Sequence, residues 1–124
     1  MAASTVTYVE IPLNSGTAMP TGVTVTAADG ALVTIDKPDQ NVLIMVKNAN
    51  TTTTQTAVIK AGNGLQGVAD LEITLAASAT KGVVVESGKY KNVSGTNKGK
   101  INIQDKNTTT TNIEVSAVVL PIID

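Results

Sequence analysis

The sequence has 124 residues, which suits one domain, and a formal net charge of −1 at pH 7, which excludes a strong long-range field toward nucleic acid or an acidic membrane. The chain has neither His nor Cys, and their absence excludes disulfides, an ordinary structural zinc site and a nucleophile activated by imidazole. Phe and Trp are absent and only two Tyr occur, so Val, Ile, Leu and Ala supply the apolar content. The abundance of β-branched Val and Thr favours strands over helices.

Runs of branched residues separated by turn signals predict about nine short strands. In chain order they are residues 6–11, 23–27, 32–35, 42–47, 56–60, 71–75, 83–86, 101–104 and 113–120. Residues 71–75 alternate apolar and polar, whereas residues 42–46 are apolar throughout, as in a central strand covered on both faces. Asp29-Gly30 is typical of a tight hairpin turn, and no stretch carries a helical stripe over three turns.

Short strands at near-even spacing predict an all-β fold, a two-sheet antiparallel β-sandwich. The spacing leaves an immunoglobulin-like and a jelly-roll strand order equally open. Residues 1–20 are predicted to form an N-terminal arm or an edge strand, because Pro12, Gly16 and Pro20 interrupt regular pairing, and residues 21–124 form the sandwich domain. No signal-peptide pattern or bilayer-length apolar run occurs, so we expect a protein made in the cytoplasm that contacts no membrane.

Patterns that resemble catalytic or ligand sites have simpler interpretations. Gly62-Asn63-Gly64-Leu65-Gln66-Gly67 matches the dinucleotide-binding glycine pattern, but residues 68–75 alternate as a strand where that site needs a helix. Asp70 and Glu72 lie two apart on one predicted strand, as on a solvated face. Asp36, Asp39 and Asn41 offer oxygens to calcium, yet Pro38 favours a turn. We therefore expect no enzyme activity, no cofactor and no metal site.

Two loop regions are candidate binding segments. Lysines interleave with Tyr90 and glycines in the stretch that contains Lys89, Lys91, Lys98 and Lys100. That stretch fits three interpretations. A solvated hairpin loop is favoured first, a site for an acidic protein partner second, and a weak, salt-dependent nucleic-acid contact third. The Thr-rich segments 50–54 and 107–111 predict either two similar hairpin loops or a pair presented together at one end of the sandwich.

Residues 40–121 as a whole resemble small virion proteins of tailed bacteriophages, of the capsid decoration or cement type. The resemblance rests on the Lys60-Ala61-Gly62-Asn63-Gly64 turn and the Glu86-Ser87-Gly88-Lys89-Tyr90 strand end, set within the succession of strands. No motif in the resemblance is catalytic, so it carries no catalytic residues over to this chain.

The resemblance implies a protein that binds the major capsid protein and reinforces the outer surface of a phage head, without contacting nucleic acid. It also implies a homo-oligomer, with a trimer as one option, located on the virion. A tail or head-fibre module of a virion and a carbohydrate- or surface-binding β-sandwich module remain as alternatives. The candidate partner-binding residues are those of an arm that adds a strand to a capsid edge and those of the lysine stretch. They are Val6, Tyr8, Val9, Ile11, Lys89, Tyr90 and Lys91.

Overall fold

The computed structural model describes residues 3–107 and 111–121, and nearly all of the regular secondary structure within them is β-strand. Its strands are β1 (Ser4–Val6), β2 (Val9–Glu10), β3 (Val23–Thr24), β4 (Ala31–Thr34), β5 (Val42–Asn48), β6 (Gln55–Ile59), β7 (Leu71–Leu75), β8 (Thr80–Val83), β9 (Lys100–Asp105) and β10 (Ile113–Val119). A 3-10 turn (Asp39–Asn41) precedes β5, and a one-turn helix, α1 (Ser87–Tyr90), follows β8.

The strands form two five-stranded sheets that pack as a sandwich, which confirms the predicted fold class. The first sheet has the order β1-β4-β9-β6-β7, and the second has the order β2-β10-β5-β8. The fifth strand of the second sheet, β3, pairs with the same edge of β10 as β2 does, but nearer the start of β10. The antiparallel pairs are nested from the outside inward: β3 with β10, β4 with β9, β5 with β8 and β6 with β7. This nesting is the strand order of a jelly roll, so the tertiary pairing decides between the two orders left open above.

The first predicted strand, residues 6–11, is in fact two strands in different sheets. Val6 of β1 lies opposite Val33, and Val9 of β2 lies opposite Val118, both in parallel register. The two sheets are therefore mixed: these two pairs are parallel, and the other pairs of named strands are antiparallel, as predicted. A physical reason is visible in the sequence: the apolar positions move from even numbers (Val6 and Tyr8) to odd numbers (Val9 and Ile11). One straight strand cannot turn both sets toward one interior, whereas a change of sheet can.

The strand predicted at residues 83–86 instead ends at Val83, where its pairing with Ile44 stops. The chain then leaves the sheet because the Asp39 carboxylate accepts hydrogen bonds from the Ser87 backbone N–H (2.9 Å) and hydroxyl (3.2 Å). The one-turn helix starts at that residue. By contrast, β7 begins and ends at the predicted residues, Leu71 and Leu75.

The core lies between the sheets and consists of aliphatic side chains from both. Its largest fully buried members are Ile44, Ile59, Leu75, Ile101, Ile103 and Ile113. Without Phe or Trp, close packing depends on interdigitated branched side chains. No helix among the described residues is long and apolar enough to span a bilayer.

The Thr-rich loop between β5 and β6 is anchored by Asn48, a fully buried polar residue at the end of β5. Its carboxamide Nδ2 donates to the carbonyl oxygens of Thr53 (2.8 Å), Leu75 (3.2 Å) and Ala76 (3.2 Å). Its Oδ1 accepts from the backbone N–H of Asn50 at 2.9 Å. One side chain thus holds two neighbouring loops.

Asp105 occupies the corresponding position at the end of β9 and is also buried. Its carboxylate accepts from the backbone N–H of Asn107 and of Asn112, both at 2.9 Å. The Ala49 N–H donates to the Asn112 carbonyl (2.8 Å). The start of the first Thr-rich loop therefore lies beside the end of the second, at one end of the sandwich. The second loop's residues 108–110 lie outside the described residues.

Candidate partner-binding surface

The opposite end of the sandwich carries two loops that are bonded into one unit. The first, residues 60–70, joins β6 to β7, and the second, residues 84–99, contains α1 and joins β8 to β9. The Gly62 N–H donates to the Lys89 carbonyl (2.9 Å), and the Asn63 carboxamide accepts from the Val93 N–H (2.7 Å) while donating to the Ser94 carbonyl (3.0 Å). These bonds fix one loop against the other.

The glycines of the first loop serve close backbone approach. A Cβ at Gly62 would collide with the Lys91 carbonyl, and a Cβ at Gly67 would collide with the Gly62 carbonyl. The Gly67 N–H also donates to the Gly64 carbonyl (3.1 Å), which closes a turn before β7. The glycine pattern is therefore the glycine-rich turn favoured by the sequence, and the element that follows it is a strand.

The start of β7 is set by Asp70, which ties the end of the first loop to its beginning. Its carboxylate accepts from the Lys60 ammonium (2.8 Å) and from the Ala61 backbone N–H (2.7 Å). The hydrogen bond from Lys60, followed by that from Ala61, lowers the pKa of this carboxyl below its usual value of 3.8. Residues 68–70 therefore belong to the loop, and the alternating run that begins at Val68 becomes a strand only at Leu71, where the strand was predicted to start.

Four large aliphatic side chains of the joined loops are exposed: Val84, at 56%, comes directly after β8, and the other three lie on or beside the glycine-rich turn. Leu65 is fully exposed, Val68 is 87% exposed and Val93, whose methyl groups lie beside Gly64, is 53% exposed. We call Leu65, Val68 and Val93 the aliphatic tip. Large apolar side chains exposed together on one feature of a folded domain mark interaction sites more often than isolated ones do. The sequence analysis missed these residues, although an apolar Leu between turn glycines was a usable signal.

The lysine stretch belongs to the second of the joined loops and to the first residue of β9. Lys89 of α1 forms an exposed ion pair with Glu86 (3.5 Å), and Lys91 Nζ donates to the Ile35 carbonyl (3.3 Å). Tyr90 is half-buried and packs against the core. Lys98 forms no ion pair within the described residues.

The predicted arm residues lie against this chain's own sheets. Val6 is only 3% exposed and belongs to the core, while Val9 and Ile11 are half-buried, and the Ile11 N–H donates to the Val119 carbonyl at 2.9 Å. The Tyr8 hydroxyl donates to the Asp36 carboxylate (2.8 Å), and that hydrogen bond, with some desolvation, raises the pKa of Tyr8 above its usual 10.0.

The predicted partner-binding residues come from the N-terminal segment and from the lysine stretch. These two segments meet beside the end of β4, because Tyr8 binds Asp36 and Lys91 binds the preceding residue, Ile35. The possible calcium ligands do not converge: Asp36 binds Tyr8, Asp39 binds Ser87, and the Asn41 carboxamide donates to the carbonyls of residues 120 and 121. Within residues 3–107 and 111–121, no group of three or more acidic side chains is placed to hold a metal ion.

No protein-family model matches this chain, and neither the curated proteins nor the solved structures contain a match to it.

Proposed function

We propose that this protein is a structural virion protein that binds the major capsid protein and stabilises the outer surface of a phage capsid through the aliphatic tip. The observation that carries the proposal is the full exposure of Leu65 and near-full exposure of Val68 on loops that are otherwise hydrogen-bonded. The resemblance of residues 40–121 to virion proteins supplies the kind of partner.

The size of the tip matches attachment to a repeating lattice. Full burial of one large aliphatic side chain contributes about 1.5–3 kcal/mol. Leu65, Val68 and the exposed half of Val93 together contribute about 5 kcal/mol on that scale. Association in solution costs about 4–15 kcal/mol in lost translational and rotational freedom. One tip therefore binds weakly, and many equivalent sites, or a homo-oligomer with several tips, give firm attachment.

The loop bonds reduce the cost of binding. Because Asn63 bonds to the backbone of residues 93 and 94, the tip does not have to be ordered when it meets a partner. Pre-organisation of this kind improves affinity without adding contacts. It also predicts that loosening the loops weakens binding even where the aliphatic side chains remain.

The test is co-sedimentation with expanded, undecorated capsids built from the major capsid protein of the same phage. The wild-type chain is expected to bind saturably and to raise the capsid's melting temperature. The double substitution Leu65→Ser and Val68→Ser is expected to abolish most of this binding. The matched control is Leu13→Ser, which removes a leucine that is 58% exposed in the segment between β2 and β3 and is expected to bind as wild type.

Failure of the wild-type chain to co-sediment would overturn the proposal, as would unchanged binding by the doubly substituted chain. Gold-labelled protein on purified particles addresses the alternative of a tail or head-fibre module. Label on tails instead of heads would show that the partner is a tail protein and not the major capsid protein.

A further inference from the structure

A second surface feature lies on the outer face of the first sheet, away from the aliphatic tip. It is a concave depression, which we call the amide trough. Its floor is the solvent face of β4 and β9, and its walls are the turn before β4, the end of β6 and the loop before β9. The side chains that matter for its chemistry are Asp29, Leu32, Lys60, Asn97, Asn102 and Gln104.

The carboxamides on the floor are held in fixed orientations. Asn102 Nδ2 donates to the carbonyl oxygens of Asp29 (2.7 Å) and Ala31 (3.2 Å), which leaves its Oδ1 to accept from Gln104 Nε2 (2.8 Å). Gly30 permits this arrangement, since a Cβ there would lie 2.7 Å from Gln104 Cγ. Its φ of +73° suits glycine for the same turn. The network is thus built into the fold.

Several polar groups of the trough are left for a ligand. Within the described part of the chain, Gln104 Oε1, the Asn97 carboxamide and the Asp29 carboxylate take part in no hydrogen bond or ion pair. Lys60 at the rim is already paired with Asp70 at 2.8 Å. The available set combines neutral donors and acceptors with one carboxylate, and half-buried Leu32 adds an apolar patch to the floor.

We infer that the amide trough binds a saccharide. Neighbouring sugar hydroxyls each donate and accept, and fixed carboxamide and carboxylate groups meet both needs. A phosphate or nucleic-acid ligand fits poorly, because the one lysine in the trough is neutralised and no aromatic side chain lines it for base stacking. The polar lining also disfavours an apolar ligand.

This assignment differs from a sugar site built on tyrosines. Tyr8 bonds to Asp36 and Tyr90 packs on the core, and neither lines the trough. Without a stacking platform each site binds weakly, so repetition of the protein on a surface is needed for firm contact with a glycan.

The test is a titration of ¹⁵N-labelled protein, followed by amide NMR spectra, with methyl α-glucoside, methyl β-galactoside and N-acetylglucosamine in turn. Shifts confined to the trough, including the side-chain amides of Asn97, Asn102 and Gln104, are expected with at least one of them. The double substitution Asn97→Ala and Gln104→Ala is expected to weaken that binding by about tenfold, the effect of losing roughly 1.4 kcal/mol. Gln40→Ala, an exposed carboxamide outside the trough, is the matched control.

The dispersion of the same spectra shows whether each substituted chain is folded. No shift at the trough with any of the three saccharides would overturn the inference. Saccharide binding that the double substitution leaves unchanged would overturn it as well. Trough shifts with inorganic phosphate but with no saccharide would assign an anion site instead.

Discussion

Asn48 is the polar residue on which the loops at the threonine end depend, and Asn48→Ala tests this. The substitution removes the bond from the Asn50 N–H to Oδ1 and the bonds of Nδ2, whose two hydrogens are shared among three carbonyl oxygens, so we count about three hydrogen bonds. At about 1 kcal/mol net for each bond, the free energy of unfolding falls by about 3 kcal/mol. That is a large fraction of the 5–15 kcal/mol typical of a domain.

The assay is equilibrium unfolding in urea. With a slope of about 2 kcal/mol per molar urea, the expected loss lowers the midpoint by about 1.5 M. Gln40→Ala is the matched control, since its carboxamide is exposed and forms no hydrogen bond within the described residues; it should leave the midpoint unchanged. If Asn48→Ala behaved like this control, the reasoning that Asn48 anchors two loops would be refuted.

Two further predictions concern backbone strain and pH. Gly30→Ala should lower the thermal unfolding temperature more than Gly95→Ala does. Both glycines have positive φ, which costs an alanine about 1–2 kcal/mol. Only at Gly30 would the new Cβ also collide with Ile103 and Gln104. Equal losses would contradict the close-approach argument. In Tyr90→Phe, Tyr8 becomes the only tyrosine, and its absorbance titration should give a pKa above 10.0 that Asp36→Asn lowers. Because the folded-state pKa is raised, the stability from this bond is present below the unfolded-state pKa and is lost as pH rises through the folded-state value.

The strands were predictable where burial produces a local pattern. β7 alternates between exposed residues and residues that are half-buried or buried, and its bounds matched the prediction, because a strand with one solvated face carries its own period. β5 was predicted one residue short, since Asn48 faces the interior as a hydrogen-bonded polar group, which hydrophobicity alone does not reveal. The helical turn at Ser87 was missed because Asp39, far away in the sequence, sets its start.

The structure places the predicted partner-binding residues in different environments. Lys89, Tyr90 and Lys91 do lie at the loop end, yet Tyr90 packs on the core and Val6 is buried. Leu65 and Val68 were missed because an apolar residue in a turn is counted toward a core unless the fold shows that nothing covers it. The trough was not predictable either, since Asp29, Lys60 and Gln104 belong to separate parts of the chain.

By itself, the sequence determined that this chain is all β, because the spacing of branched aliphatics is a local property that each strand shows alone. Only the tertiary structure decided the jelly-roll order, the division of residues 6–11 between the two sheets, and which apolar side chains remain uncovered. Strand pairing and exposure depend on contacts between distant residues, and such contacts leave no periodic signal along the chain.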